Sequence, residues 1–243
     1  MMSLRRRLLD FANHLLEPLG VALCRSGMDM ESVLKVLAKR RGDNIATVFD
    51  IGASTGRWSA MTMPMLPHAR FIGIDPLEER RPWLEKLKQS QSKFDYVLCA
   101  AGEEANGTVQ MAVGDDPDTS TVHGSDGAMR TVALHSLDAI AEMKGTKGPY
   151  LLKFDTHGFE VPILNGAQKV LAETSYIVME VYGYRHVEGT LLFWEMCQKL
   201  DAMGFRCFNL VDPMQRQLDK SLWQIDLFFA RKDDVFFRSE NYK

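Results

Sequence analysis

The chain has 243 residues, 46% of them apolar and 25% charged, the balance of a globular protein that can bury a sizeable core without staples. A formal net charge of −3 argues against a general nucleic-acid binder, which would be basic, and no run approaches the roughly 18 apolar residues of a membrane span. Cys24, Cys99, Cys197 and Cys207 lack paired spacing, so reduced thiols in a cytoplasmic protein are expected rather than a disulfide framework or zinc site.

Arg5, Arg6 and Arg7 ahead of Leu8 and Leu9 resemble the start of a signal peptide, but Asp10, Asn13, His14 and Glu17 interrupt the apolar stretch it would need. Leu4, Leu8, Phe11, Leu15 and Leu19 recur at helical spacing, giving a basic amphipathic helix. Such a helix docks on its own domain or on a second subunit of an oligomer, or it makes peripheral contact with a membrane or partner. Residues 1–45 therefore read as an N-terminal helical extension and 46–235 as the main domain, with 42–44 as the linker.

From residue 46 onward, short β-branched runs alternate with amphipathic segments, the mark of βαβ units and a parallel sheet. The predicted strands are 46–51 (ATVFDI), 70–75 (RFIGID), 94–100 (FDYVLCA), 150–155 (YLLKFD) and 175–181 (SYIVMEV). Helices are expected over 57–66, from Pro76 to about 90, over 137–143 with Ser136 as cap, and over 159–172. Leu192, Met196, Leu200 and Met203 mark one more, stopped at Gly204. Residues 107–113 read as a short strand and 114–127 as a loop. The last two strands, 205–211 and 223–230, have only a polar turn between them and should be antiparallel. The fold class is thus α/β, Rossmann-like: a mostly parallel sheet ending in an antiparallel hairpin, the layout of class I methyltransferases.

The first strand runs into Asp50-Ile51-Gly52-Ala53-Ser54-Thr55-Gly56. Glycines there let the backbone turn sharply and approach a ligand, at the sheet edge where open α/β folds bind them. A pyrophosphate loop reads G-x-G-x-x-G; here the spacing is G-x-x-x-G, with Asp50 beside it. A carboxylate repels pyrophosphate but attracts an ammonium, which favours S-adenosyl-L-methionine over a dinucleotide. Asp75, ending the second strand, can accept hydrogen bonds from ribose hydroxyls. Ala100, within Cys99-Ala100-Ala101-Gly102, leaves room for a flat adenine. The expected cofactor residues are Asp50, Gly52, Ala53, Gly56, Asp75, Ala100 and Asp155.

On these residues the chain resembles the FkbM family of methyltransferases: VFDIGASTG at 48–56, Ile74-Asp75-Pro76, Ala100-Ala101-Gly102, LKFDTHGFEVPILNGA at 152–167 and Val178-Met179-Glu180-Val181. The resemblance spans about 45–230, and its specific part is Lys153-x-Asp155-x-x-Gly158-x-Glu160 followed by Gly166-Ala167. It implies methyl transfer to hydroxyls of sugars, polysaccharides or related natural products. Asp75 stands where the family often has Glu, and His157 where Glu or Gln is common.

Methyl transfer from a sulfonium is an in-line displacement that needs positioning and removal of the acceptor's proton. His157, Asp155 and Glu180 lie at the tips of the fourth and fifth strands and are the candidate catalytic residues. His157 suits a general base at neutral pH, or is simply a loop histidine. Asp155 can orient it, hold the donor's amino group, or ligate a divalent cation with Glu180. Glu180 can instead pair with Lys153, and Glu160 suits the first turn of a helix for dipole reasons alone. Tyr182, Tyr184 and His186, with Arg185, form a polar–aromatic cluster fit to bind a small-molecule or glycan acceptor, and Asp118, Thr119, Ser120 and His123 could close over it; either group reads equally as a solvated loop. Two other readings compete: an NAD-dependent oxidoreductase, which would need the missing pyrophosphate loop, and a non-catalytic binding module that keeps the fold.

Overall fold

The computed structural model describes residues 12, 15, 29–113, 128–185 and 187–241, Asp43 through its backbone alone. Ten strands occur among them: β1 (Thr47–Ile51), β2 (Arg70–Asp75), β3 (Phe94–Leu98), β4 (Ala100–Gly102), β5 (Gly107–Val113), β6 (Ala128–Ser136), β7 (Tyr150–Phe154), β8 (Thr174–Tyr182), β9 (Phe205–Gln215) and β10 (Leu222–Arg231). Seven form the main sheet in the order β3-β2-β1-β7-β8-β10-β9. The first five of these run parallel, and β10 lies antiparallel between β8 and β9. The chain reverses its direction of winding at β1, so the β1 and β7 tips border the crevice where such sheets bind ligands.

The central strands are buried on both faces, which explains their nearly unbroken apolar sequence; every residue of β1 and of β7 is buried. Side chains alternate between the faces. Phe49, Ile51, Leu152, Phe154, Ile177, Met179 and Leu227 pack into one core. Val48, Leu151, Val178 and Phe228 pack into the other, which helix α1 (Met30–Arg41) covers with Val33, Leu34 and Leu37. Asp29 caps α1 by accepting from Ser32 N at 2.8 Å. The remaining helices are α2 (Arg57–Thr62), α3 (Arg81–Ser90), α4 (Leu137–Lys144), α5 (Glu160–Asn165), α6 (Gln168–Ala172) and α7 (Phe193–Ala202). Ser136 caps α4 as expected, accepting from Ala139 N at 3.2 Å, and α7 ends ahead of Gly204, whose φ is +87°.

Three elements differ from the sequence reading. The single helix expected over 159–172 is two, α5 and α6, broken at Gly166 and Ala167. A Cβ at Gly166 would lie 2.0 Å from the Gly102 carbonyl oxygen, so the break lets the chain press against the end of β4. The third strand is also divided, at Cys99, and its second half pairs with β6 in a separate sheet of order β4-β6-β5. Residues 128–136, given no strand in the sequence reading, form β6, whose outer residues are exposed and whose apolar alternation is correspondingly weak. The basic N-terminal helix lies outside the described residues except for Ala12 and Leu15, both helical, and 114–127 lies outside them altogether.

Candidate active site

A cavity of about 800 Å³ opens at the carboxyl ends of β1, β2, β7 and β8. One wall is the loop after β1, with Gly52, Ala53, Ser54 and Thr55. Gly52 has φ +79°, and a Cβ there would fall 1.9 Å from the Asp155 carbonyl oxygen, so glycine is what lets the loop meet the end of β7. Ser54 also takes a positive φ, and its N–H donates to Asp75 Oδ2 at 2.8 Å, while Leu77 N donates to Oδ1 at 3.0 Å. Each carboxylate oxygen therefore keeps accepting capacity for a further donor. Burial, only partly offset by these two bonds, pushes the Asp75 carboxyl up to about 6. Cys99, Ala100 and Ala101 form a small-residue floor beside Leu77, Met111 and Trp83.

The cavity wall thus contains Gly52, Ala53, Asp75, Ala100 and Asp155 among the expected cofactor residues. Asp50 and Gly56 stand behind it. Gly56 faces Leu87, where a Cβ would come within 2.7 Å, so its role is strand–helix packing. Asp50 is fully buried; its Oδ2 accepts from Ser59 Oγ at 2.7 Å, and its Oδ1 is 3.4 Å from Lys153 Nζ. Direct contact between Asp50 and a donor ammonium is accordingly replaced by an ion pair one layer down. Lys153 also lies 2.9 Å from Asp155 Oδ2 and sits over the Trp58 ring. Burial alone would weaken its hold on the proton, but the Asp50 and Asp155 charges overcome this and hold Lys153 protonated well above the ordinary lysine range. The Asp155 carboxyl is held low despite burial by Lys153 and His157, and its side chain remains 36% exposed, facing the cavity.

The structure brings the three candidate catalytic residues together. His157, at φ +48° in the loop after β7, has Nδ1 2.8 Å from the Tyr182 hydroxyl and 3.4 Å from Glu180 Oε1, with Nε2 3.8 Å from Asp155 Oδ1. The Tyr182 hydroxyl donates to Glu180, and Gln224 Nε2 donates to Glu180 Oε2 at 2.6 Å. Burial would lower the affinity of the imidazole for a proton, but the Glu180 hydrogen bond and the Asp155 and Glu180 charges outweigh it and raise it. Glu180 does not pair with Lys153, because Lys153 is engaged by Asp50 and Asp155 on the β1 side. Donor atoms of Asp155, His157 and Glu180 all lie within 4.8 Å of one another. The two carboxylates face different nitrogens of one ring, which suits a protonated imidazole, and the same grouping of donor atoms could hold a cation.

Tyr182, expected to meet an acceptor, is only 3% exposed and serves the histidine instead. Tyr184 stacks on Trp223 at 6.0 Å, with the Arg216 guanidinium 4.1 Å from its ring centre. His186 lies outside the described residues. The sequence reading missed Trp58, Arg80, Trp83 and Met111 on the cavity wall. Only Trp58 had a local signal, two residues past the glycine loop; the others arrive from the turn 78–80, α3 and the small sheet by tertiary packing.

Sheet order, terminal hairpin and crevice define a class I methyltransferase architecture, with an acid at the β2 tip and no dinucleotide loop. The chain belongs to the FkbM family of S-adenosylmethionine-dependent methyltransferases: the Methyltransferase FkbM domain matches residues 50–207. Among solved structures it is similar to methyltransferase FkbM from Methylobacillus flagellatus KT, with 19% identity and a TM-score of 0.50 over 77% of this chain and 44% of that one. The chain therefore spans less than half of that protein's length. The 1,6-didemethyltoxoflavin-N1-methyltransferase of Burkholderia thailandensis, solved with 1,6-didemethyltoxoflavin and S-adenosylhomocysteine, is 12% identical with a TM-score of 0.44 over 95% of this chain and 91% of that one. The precorrin-6y C5,15-methyltransferase of Geobacter metallireducens GS-15 is 11% identical, with a TM-score of 0.43 over 86% and 93%. No curated protein matches the chain. No described helix is long and apolar enough to cross a membrane.

Proposed function

We propose that the protein transfers a methyl group from S-adenosylmethionine to a hydroxyl oxygen of a sugar, polysaccharide or related natural product. The observation that carries this is one cavity with an acid for ribose hydroxyls on one side and a carboxylate-flanked histidine on the other. The wall fits the donor's chemistry: a carboxylate with free acceptor sites, a floor of small residues for a flat base, an open acid for an ammonium, and no pyrophosphate cradle. When bound, the donor supplies an electrophilic methyl on a sulfonium.

The residues divide the remaining work. Asp75 accepts from the ribose hydroxyls, the Gly52–Thr55 loop lies along the nucleoside, and Asp155 faces the ammonium. His157 takes the acceptor's proton through Nε2, the nitrogen on the cavity side, while Nδ1–H donates to the Tyr182 oxygen and the Tyr182 hydroxyl to Glu180. That relay fixes the tautomer and stabilises the imidazolium once formed, as a buried carboxylate does for a catalytic histidine elsewhere. Trp223, edge-on to Tyr182 and stacked with Tyr184, is the aromatic group nearest this relay that could meet the unreacting part of the acceptor.

The test is incubation with methyl-labelled donor and a panel of hydroxylated sugars and polysaccharides, read by mass spectrometry. Label on oxygen supports the proposal, and label only on nitrogen or carbon overturns the acceptor class. Tight donor binding with no transfer to any class of acceptor would favour a non-catalytic module. Turnover abolished by chelation and restored by Mn²⁺ would assign a cation to the Asp155, His157 and Glu180 cluster instead of a free base.

A further inference from the structure

Only five residues connect β7 to α5, and the middle of that connection carries the candidate base. His157 sits there at φ +48°, a left-handed conformation that residues with a Cβ disfavour, followed by Gly158 at φ +101°. A strained backbone of this kind persists only where its surroundings over-determine it. Phe159 N donates to the Thr156 carbonyl at 3.3 Å, which closes the turn but does not fix the histidine within it. Glu160 supplies the rest: its Oε1 accepts from Thr156 Oγ1 at 3.1 Å and from Gly158 N at 2.8 Å, one partner on each side of His157.

We propose that Glu160 is a positioning residue whose carboxylate clamps Thr156 to Gly158 and so holds His157 in the backbone conformation that turns its ring to the cavity wall. The proposal rests on the role given to His157 above. Glu160 is 3% exposed, and a carboxyl buried that deeply is costly unless hydrogen-bonded. Complementing the α5 dipole does not require this, because that charge would act as well from the solvent side of a helix of six residues. The clamp does require it, since the carboxylate has to lie beneath the loop to reach both partners. The ring is held separately, by the Tyr182 hydroxyl at Nδ1. Backbone and ring are thus fixed from two elements, α5 and β8. Among the described residues, the charged and titratable groups that face the imidazole are Asp155 and Glu160 on its own segment and Glu180 and Tyr182 on β8.

The experiment uses nitrogen-labelled full-length protein and follows the low-field Nδ1 proton of His157, assigned by its absence in His157→Gln. Glu160→Ala should lose or strongly shift that resonance, whereas Glu160→Gln, which keeps an acceptor for Gly158 N, should retain it. An unchanged resonance in Glu160→Ala, or equal loss in both variants, overturns the proposal. If Glu160→Ala does not fold, Thr156→Ala removes one arm of the clamp: a shifted resonance supports the proposal, and one identical to wild type overturns it. Calorimetry with S-adenosylhomocysteine on the same samples should show affinities within about twofold of wild type in the folded Glu160 variants. Absent binding in wild type would count against the methyltransferase reading, not against the clamp.

Discussion

Replacing Asp226 should remove a pH-dependent penalty that the wild-type protein carries. The register of β8 and β10 sets Asp226 opposite Glu180, and like charges facing each other across a strand pair are destabilising. Burial first, then the charges of Glu180, Asp155 and Asp212, push the Asp226 carboxyl up to about 7, with Lys153 offering partial relief. A group whose folded affinity for protons is raised contributes stability that is complete below its unfolded value, near 4, and lost as pH climbs through the folded value. At about 1.4 kcal/mol per unit, a rise of roughly three units corresponds to as much as about 4 kcal/mol surrendered between pH 4 and pH 8. Asparagine cannot ionise, so Asp226→Asn should gain on wild type across that window whatever fixed offset the amide introduces. Urea denaturation of both proteins at pH 4.5, 6 and 8 measures the difference curve, provided the denaturant slopes agree. A difference that stays flat from pH 4.5 to pH 8 would refute the reasoning, because it would mean that Asp226 titrates alike in folded and unfolded chains.

Three further outcomes follow from the site. Asp75→Asn should weaken S-adenosylmethionine binding by one to two orders of magnitude in calorimetry, since a charged hydrogen bond is worth about 1.5–3 kcal/mol; unchanged affinity would move the donor elsewhere. His157→Ala should abolish turnover while donor affinity survives, and rates that match wild type would remove the histidine from the chemistry. Lys153→Met should destabilise the fold by roughly 3–5 kcal/mol in chemical denaturation, because the fully buried Asp50 is left without its counter-charge. A loss under about 1 kcal/mol would refute the weight given to the Lys153–Asp50 pair.

The parallel core was legible because β1, β2, β7 and β8 are buried on both faces and so spell themselves as apolar runs. The second sheet was not, since the β6 residues Ala128, Met129, Arg130 and Thr131 are exposed and carry no alternation to read. For the site, residue type located the cavity but not the depth of each carboxylate. Asp50 and Asp75 look equivalent as acids at adjacent strand tips. Asp50, however, sits within β1 beside Lys153 while Asp75 ends β2 beneath the Ser54 N–H, so only one reaches the cavity. Tyr182 likewise looked like an acceptor contact because the loop beginning at Gly183 is polar. Its register on β8 instead places it two residues from Glu180, so both side chains point the same way.

That alternation also explains why the charges gather. Val48, Leu151, Val178 and Phe228 belong to the α1-side core, so by the two-residue period of a strand Asp50, Lys153, Glu180 and Asp226 project to that same face, nearer the carboxyl edge. Asp155 continues the row one step beyond β7. Four carboxyl groups gather there around one buried lysine, which pairs with Asp50 and Asp155, and a surplus of one sign at the edge of a low-dielectric sheet attracts the opposite sign from solution. The proposed donor carries a sulfonium and an ammonium against one carboxylate, so it brings the missing positive charge, whereas a dinucleotide would add to the negative one. The same surplus favours the imidazolium form of His157, so one arrangement of side chains suits both roles proposed for it, donor capture and proton removal.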